Sequence, residues 1–462
     1  MAHHRRLTQA DAICLGLNTF IKHIGFEIGI IIICWLGMVS GVWGQEGKET
    51  LSLQEALEKG LSQQPGLKSA EAEYLAMGDE VEMAQTAFYP RLSANTFWTG
   101  GDMPMIFGSL PSSMPAYQAM VPGENNWIQD FTLMIPLYTG GKNLAQLKKA
   151  RFEKEAASHQ YQGSRLELAK EIQIAWWKAQ YFRELQQAYG EMVKESREQV
   201  KNQETAYQAG KSAYVSLLRN RTQLAQSLQM EADVRKEYRS LVARLNELAG
   251  EDPAYPLEPA QSPLEPVIFT YDKASALEKV METHPGLKAL QSREKSAVQS
   301  VAVARGDYFP QVALMGMQDF FKEDNGGDDS GHAYGLVVSF PFFGSGESYY
   351  KKKQQERYKQ KARYDLEAGK LKARSDFESA WAGLDSARVK IEAAQSSLQQ
   401  AEEEYRIMKL AYEAGKKTTL EYLDALVLTA KSRADWAGAL AEYNIQVAEL
   451  KTMMGIEPLG QP

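Results

Sequence analysis

The segment AYQAGK at residues 206–211 returns as AYEAGK at residues 411–416, which is 205 positions later (411 minus 206). A tetrapeptide, PGLK, occurs at residues 65–68 and again at residues 285–288, which is 220 positions later (285 minus 65). Landmarks that recur in the same order at nearly constant offsets indicate one structural unit used twice. The sequence therefore predicts a duplicated fold, and each pattern can be interpreted for both copies together.

The landmarks divide the chain into a first repeat at residues 45–253, a connector at residues 254–270 and a second repeat at residues 271–458. The connector carries four prolines, at 256, 259, 263 and 266, which favour extended backbone over helix. Each repeat opens with two short helical stretches separated by the proline of PGLK, since proline is tolerated in the first turn of a helix.

Each repeat then contains two stretches in which apolar and polar residues alternate. Period-two alternation predicts strands with one apolar face. The predicted strands lie at about 91–99 and 127–138 in the first repeat, and at about 311–321 and 332–342 in the second. Strands of roughly nine to twelve residues have the length of a tilted membrane-spanning β-strand.

After the strands, the apolar residues follow a helical period. Alanine, leucine and aromatic residues between Ala380 and Tyr412 alternate in steps of four and three, which is a coiled-coil heptad. Gly210 and Gly415 then mark tight turns at which each long helix reverses. The predicted long and return helices lie at about 142–209 and 212–249 in the first repeat, and at about 346–414 and 417–454 in the second.

Residues 1–44 have the order of a secretory signal peptide. Basic residues come first, an uncharged run at residues 28–43 follows, and Ser40, Gly41 and Gly44 provide small residues for cleavage. The alternative is an uncleaved membrane anchor, for which a sixteen-residue run is short. Cleavage would remove both cysteines, Cys14 and Cys34, which suits an oxidising compartment.

Composition excludes several classes of protein. The formal net charge of −7 argues against a nucleic-acid-binding protein, which needs a basic face. The 462 residues contain no long apolar run beyond the first 45, which excludes a polytopic helical membrane protein. Six histidines without metal-ligand spacing, and no nucleotide-binding loop, predict a protein without catalytic activity, cofactor or bound metal.

The strands impose a constraint on assembly if they lie in a membrane. Four amphipathic strands cannot close a barrel, because known membrane barrels begin at about eight strands. An open strand edge in lipid leaves backbone polar groups without partners. Several chains would therefore share one barrel, and three chains would supply twelve strands.

With these features the chain resembles the TolC-type outer membrane efflux family, over about residues 50–458. The resemblance implies a homotrimer with a twelve-stranded β-barrel in the outer membrane of a Gram-negative bacterium, surrounded by outer membrane lipid. The barrel would continue into a long periplasmic α-helical barrel. Such a channel passively conducts substrates from a periplasmic adaptor protein and an inner-membrane transporter of the RND or ABC type, in efflux or in type I-like secretion.

The resemblance also implies a periplasmic aperture at the tip of the second repeat. The tyrosine, the basic residue and the two acids of the family pattern match Tyr412, Lys417, Glu421 and Asp424. Ser216 stands in the first repeat where the family often has an acid, which puts a closing salt bridge in doubt. Glu421 and Asp424 lie three residues apart on one helix face, so a trimer would form carboxylate rings that select cations.

The two helix-reversing turns are the expected adaptor-docking end, because they lie farthest from the strands. Their residues are Gly210, Lys211, Gly415 and Lys416.

An alternative remains a periplasmic coiled-coil scaffold or adaptor without a pore, which would not explain the paired strands in both repeats. The transported cargo stays open between drug, metal ion and protein. Four methionines in the loop at residues 100–126 allow a soft metal ion, although methionine packing explains them as well.

Overall fold

The computed structural model describes residues 50–99, 105–107, 119–121, 126–254, 258–323, 328–342 and 345–457. The predicted signal peptide and most of the methionine-containing loop lie outside these residues. From Thr50 onward the chain forms one compact unit. In the described part of the chain, no helix is long and apolar enough to cross a membrane.

The first repeat has the order helix, helix, strand, strand, long helix, return helix. Its elements are strand β1 (Thr50–Leu51), helices α1 (Leu53–Gln63) and α2 (Pro65–Thr86), strands β2 (Arg91–Thr99), β3 (Met105–Phe107), β4 (Ala119–Val121) and β5 (Asn126–Thr139), and helices α3 (Lys142–Gln208) and α4 (Tyr214–Leu248). Strands β3 and β4 pair antiparallel in a small separate sheet, within a segment expected to be a loop. Three residues each are too few to show a period in the sequence.

The second repeat has the same order of elements. Strand β6 (Glu258–Pro259) lies in the connector, and the elements of the repeat are helices α5 (Lys273–Thr283) and α6 (Pro285–Gly306), strands β7 (Gln311–Glu323) and β8 (Asp328–Ser339), and helices α7 (Glu347–Glu413) and α8 (Thr419–Met453). The long helices α3 and α7 have 67 residues each, and the return helices α4 and α8 have 35 each. At 1.5 Å per residue, each long helix extends for about 100 Å.

Strand β8 departs most from the range expected from alternation, which was about 332–342. It begins at Asp328 because β7 continues to Glu323 and offers backbone partners up to the pair Lys322 and Asp328. It ends at Ser339, opposite the first residue of β7, and Pro341 follows without an N–H to donate. The partner strand therefore sets these ends, and the side-chain pattern of β8 does not.

The four long strands form one sheet in the order β2-β5-β7-β8, and each neighbouring pair is antiparallel. One face of the sheet presents large apolar side chains to the outside, including Trp98, Phe131, Leu336 and Val338, each at least 40% exposed. The opposite face is partly polar, and Asn95 Nδ2 donates to Asp130 Oδ2 across β2 and β5 at 2.8 Å. Strands β2 and β8 are the two open edges of this sheet.

The helices lie side by side in the same order as the strands. Helix α3 packs against α2, α4, α6 and α8, and α7 packs against α6 and α8. Helix α7, which follows β8, is thus at one side, and α2 and α4 are at the other side with β2. The largest apolar clusters surround Trp176 on α3 and Phe377 on α7, both at most 2% exposed.

Buried polar side chains fix the connector against the helices. Gln180 Nε2 on α3 donates to the carbonyl of Ala260 at 2.7 Å. Asn444 on α8 accepts from the N–H of Val267 at 2.8 Å and donates to the carbonyl of Glu265 at 2.9 Å. The extended backbone between the repeats therefore obtains hydrogen-bond partners that it cannot provide for itself.

Candidate functional site

Both long helices reverse through the same turn. Gly210 has a φ of 69°, and the N–H of Lys211 reaches back to the carbonyl of Ala206 at 2.8 Å. Gly415 has the same φ of 69°, and Lys416 makes the equivalent bond at the end of α7. These bonds are those of a Schellman motif, in which a left-handed residue, usually glycine, ends the helix. The turn geometry thus explains why both copies have a glycine at this position.

The second return helix begins with a capping box. The N–H of Thr418 donates to Glu421 Oε2 at 2.9 Å, and the N–H of Glu421 donates to Thr418 Oγ1 at 3.3 Å. Lys417 Nζ also donates to Glu421 Oε1 at 2.7 Å. The Lys417 bond and then the Thr418 bonds lower the pKa of Glu421 to about 2. Glu421 is therefore ionised at neutral pH, at the start of α8.

The structure brings only part of the predicted aperture set together. Lys417 and Glu421 form an ion pair, but both belong to the same hairpin and their side chains are about 40% exposed. Asp424 is exposed one turn further along α8. Ser216 lies half-buried in the first turn of α4, where its N–H donates to the carbonyl of Ala213 at 3.0 Å. The described partner of Lys417 is thus on its own hairpin.

A tyrosine cluster joins the second-repeat hairpin to α3, and Tyr412 is its one member among the residues predicted for the aperture. Tyr412 and Tyr422 stack with ring centroids 5.0 Å apart, and the hydroxyls of Tyr405 and Tyr422 lie 3.2 Å apart. Tyr422 donates its hydroxyl to Glu195 on α3, and Tyr412 donates to Gln199 Oε1 at 2.9 Å. These two bonds connect α8 and α7 of the second repeat with α3 of the first.

Tyr422 is the central residue of this cluster. It is 1% exposed and packs with Met192, Leu423, Leu426 and Ala430. Burial, followed by the hydrogen bonds to Glu195 and Tyr405, raises the pKa of Tyr422, so the hydroxyl stays protonated and remains a donor. A buried tyrosine hydroxyl needs a partner, and here that partner is a carboxylate of the other repeat.

The two hairpins differ at the equivalent positions. At the offset of 205, Leu217 stands in place of Tyr422 and Val200 in place of Tyr405. Tyr207, the counterpart of Tyr412, is 42% exposed and contacts Tyr214 at 5.4 Å between ring centroids. Comparison of the two repeats position by position could have identified Tyr405 and Tyr422 as a departure that the duplicated fold does not require.

Comparison with known proteins gives the family. The sequence profile of the outer membrane efflux proteins matches residues 56–251 and 276–456, which covers both repeats and omits the connector. The chain belongs to the outer membrane efflux protein family. This efflux protein is 23% identical over 409 residues to protein CyaE of Bordetella pertussis, covering 87% of this chain and 82% of that one. It is 25% identical over 151 residues to outer membrane protein OprJ of Pseudomonas aeruginosa, covering 32% of this chain and 29% of OprJ.

Solved structures of other channels have a similar fold. The CmeC outer membrane channel of Campylobacter jejuni superimposes with a TM-score of 0.76 at 16% identity, covering 91% of this chain and 92% of CmeC. The open state of the MtrE channel of Neisseria gonorrhoeae gives 0.72 at 17% identity, covering 87% and 89%. The helical part and the strand part of this efflux protein thus both have counterparts in channel structures.

The family confirms the prediction made from the repeats. The chain is an outer membrane efflux protein of the channel-forming type, located in the outer membrane with a large periplasmic helical part. The alternative of a coiled-coil scaffold without a pore is not favoured. The resemblance to the TolC-type family is likewise confirmed.

Proposed function

We propose that three copies of this chain form one channel, with a twelve-stranded barrel (three times four strands) above a periplasmic helical barrel. The observation that carries the proposal is the four-stranded sheet with its exposed apolar face and two open edges. In lipid, the backbone groups of β2 and β8 need partners, and neighbouring copies supply them. The channel provides a passive path, and its partners provide the energy.

Strand direction supports closure between copies. The sheet alternates in direction from β2 to β8, so β8 of one copy meets β2 of the next in antiparallel orientation. The helices are arranged in the same way, with α7 on the side of β8 and α2 and α4 on the side of β2. Helix α7 of one copy would meet α2 and α4 of the next, and both sides carry apolar residues that are more than half exposed in the single chain: Leu371 and Val389 on α7, and Leu75 and Met83 on α2. One contact thus covers both the strand edge and the helix edge.

Cysteine crosslinking tests the closure directly. Arg91 begins β2 and Ser339 ends β8, so both lie at the helical end of the sheet. Arg91→Cys combined with Ser339→Cys should give covalent trimers on oxidation in membranes. The matched control combines Arg91→Cys with Ser330→Cys, near the other end of β8, and should stay monomeric on denaturing gels. Equal crosslinking of both pairs, or of neither pair, would exclude the proposed edge pairing.

The periplasmic aperture is proposed at the tip of the second repeat. Tyr412, Lys417, Glu421 and Asp424 would surround the axis, with Ser216 on the neighbouring hairpin. The carboxylates of Glu421 and Asp424 would form two rings that concentrate cations. The tyrosine cluster supports a resting position in which the second-repeat hairpin is tied to α3, because its hydrogen bonds cross between repeats.

The adaptor is proposed to dock at the two turns, through Gly210, Lys211, Gly415 and Lys416. The partners proposed for this channel are a periplasmic adaptor protein and an inner-membrane transporter of the RND or ABC type. Lys211 and Lys416 are exposed, which suits a docking surface. Lys416→Cys should crosslink to an adaptor in the periplasm, whereas Ser330→Cys at the opposite end should not.

A further inference from the structure

Two equivalent helix junctions differ in one capping side chain. Gln64 ends α1 and begins α2, and His284 does the same between α5 and α6. Their backbones are nearly identical, with φ, ψ of −61°, 121° and −55°, 118°. Gln64 Oε1 accepts from the N–H of Leu67 at 2.6 Å, and His284 Nδ1 accepts from the N–H of Leu287 at 3.4 Å. The two side chains thus perform the same capping role.

The chemistry of the two caps differs with pH. An amide oxygen accepts a hydrogen bond at every pH, whereas an imidazole nitrogen accepts only while the ring is neutral. A protonated His284 would carry an N–H on Nδ1 that opposes the N–H of Leu287. The positive end of the α6 dipole would repel the added charge as well. One junction therefore has a permanent cap and the other has a cap that a proton removes.

The surroundings of His284 favour the neutral ring. Burial lowers its pKa, and Asp376 on α7 acts in the opposite direction. Other charged or titratable groups line the cavities around it: Glu167, Lys170, Glu171 and His159 on α3, Arg244 and Glu247 on α4, Glu449 on α8 and Arg293 on α6. Many of these groups have partners of their own. Lys170 pairs with Glu167 at 2.7 Å, and Arg244 pairs with both Glu171 and Glu247.

We propose that His284 makes the α5–α6 junction a pH-sensitive joint, which loosens the first turn of α6 as the periplasm acidifies, while the α1–α2 junction capped by Gln64 stays fixed. The loosened turn would act on the neighbouring helices, because α6 packs against both α3 and α7. The two repeats, equivalent in fold, would then respond differently to acid.

The direction and size of the effect follow from linkage. The pKa of His284 is lowered in the folded junction from its ordinary value of 6.5. Opening the junction therefore takes up a proton once the pH falls below 6.5. The opening constant should rise as the pH falls below that value, with a limiting slope of about tenfold per pH unit, until the pH reaches the lower pKa of the closed junction.

Hydrogen exchange of the full-length protein in detergent tests the proposal. Amides of residues 286–290 should lose up to about fivefold in protection between pH 6.5 and pH 5.5, after correction for the intrinsic exchange rate. Amides of residues 66–70 should keep their protection. His284→Gln, which copies the cap of the first repeat, should abolish the loss at residues 286–290.

The reciprocal variant makes the test stringent. Gln64→His should transfer the acid-dependent loss of protection to residues 66–70. An unchanged protection of residues 286–290 in the wild-type protein would overturn the proposal. So would an acid-dependent loss that persists in His284→Gln, because other groups around the cavity would then be responsible.

Discussion

Removal of one hydroxyl, in Tyr422→Phe, should release the second-repeat hairpin from α3. The ring of Tyr422 is 1% exposed and stacks on Tyr412, and both features are retained by phenylalanine. Only the hydroxyl bonds to Glu195 and Tyr405 are lost. The variant thus isolates the polar tie between the repeats from the packing of the tip.

The magnitude follows from the type of bond. A hydrogen bond to a charged group contributes about 1.5–3 kcal/mol, and one between neutral groups about 0.5–1.5 kcal/mol. Tyr422→Phe loses the bond to the Glu195 carboxylate, and Tyr412→Phe loses the neutral bond to Gln199. Since 1.4 kcal/mol is a factor of ten, Tyr422→Phe should shift the closed-to-open equilibrium about tenfold or more per chain, and Tyr412→Phe about two- to tenfold.

Single-channel recording of the purified protein in planar bilayers measures this shift as resting conductance and open probability. Tyr207→Phe is the matched control, because Tyr207 occupies the equivalent place in the first repeat and is 42% exposed. We expect the increase in resting conductance and open probability to be largest for Tyr422→Phe, smaller for Tyr412→Phe and smallest for Tyr207→Phe. If Tyr422→Phe conducted no more than Tyr207→Phe, the tyrosine cluster would hold the helices together without restricting the pore.

Three further outcomes are expected at the same tip. Glu421→Ala combined with Asp424→Ala should weaken cation selectivity and the block by multivalent cations added from the periplasmic side, and unchanged reversal potentials would place the selective region elsewhere. Because the pKa of Glu421 is about 2, the selectivity that it provides should persist as the pH falls from 7 to about 4, which reversal potentials across that range would measure. Lys417→Ala should raise resting conductance only modestly, since its described partner is Glu421 on the same hairpin, and a large increase would indicate a partner on another helix.

The order of helices and strands within one chain could be predicted from the sequence, because local rules determine it. Proline at the first helical position and glycine at a left-handed turn fix the ends of the helices at Pro65 and Gly210, and at their counterparts in the second repeat. The alternation that predicted a strand at about 127–138 lies within β5, Asn126–Thr139. Alternation did not predict the ends of β8, because its partner strand β7 sets them.

The candidate site was less predictable, because it depends on contacts between distant segments. Heptad spacing places Tyr405 and Tyr412 on one face of α7, but it does not reveal which side of α3 that face meets. The partner residue Glu195 lies 227 positions before Tyr422, and no local pattern connects them. Ser216 put a salt bridge from Lys417 to the first hairpin in doubt, and the described partner of Lys417 is Glu421, which a local capping box holds.

Because the fold is duplicated, residues that differ between the two repeats are the ones that can give the two hairpins different roles. Residues that both copies need for folding remain paired, as with Gly210 and Gly415 in the turns. In a ring of alternating repeats, the two hairpins can be tied to different neighbours only if their side chains differ at the contact. Tyr422 in place of Leu217 provides such a difference, because a hydroxyl in the second repeat bonds a carboxylate on α3 and a leucine cannot. In the proposed channel, this asymmetry would allow the second hairpin to move while the first stays fixed. Tyr422→Leu, which gives the second hairpin the residue of the first, should change the conductance of the pore more than it changes the stability of the fold.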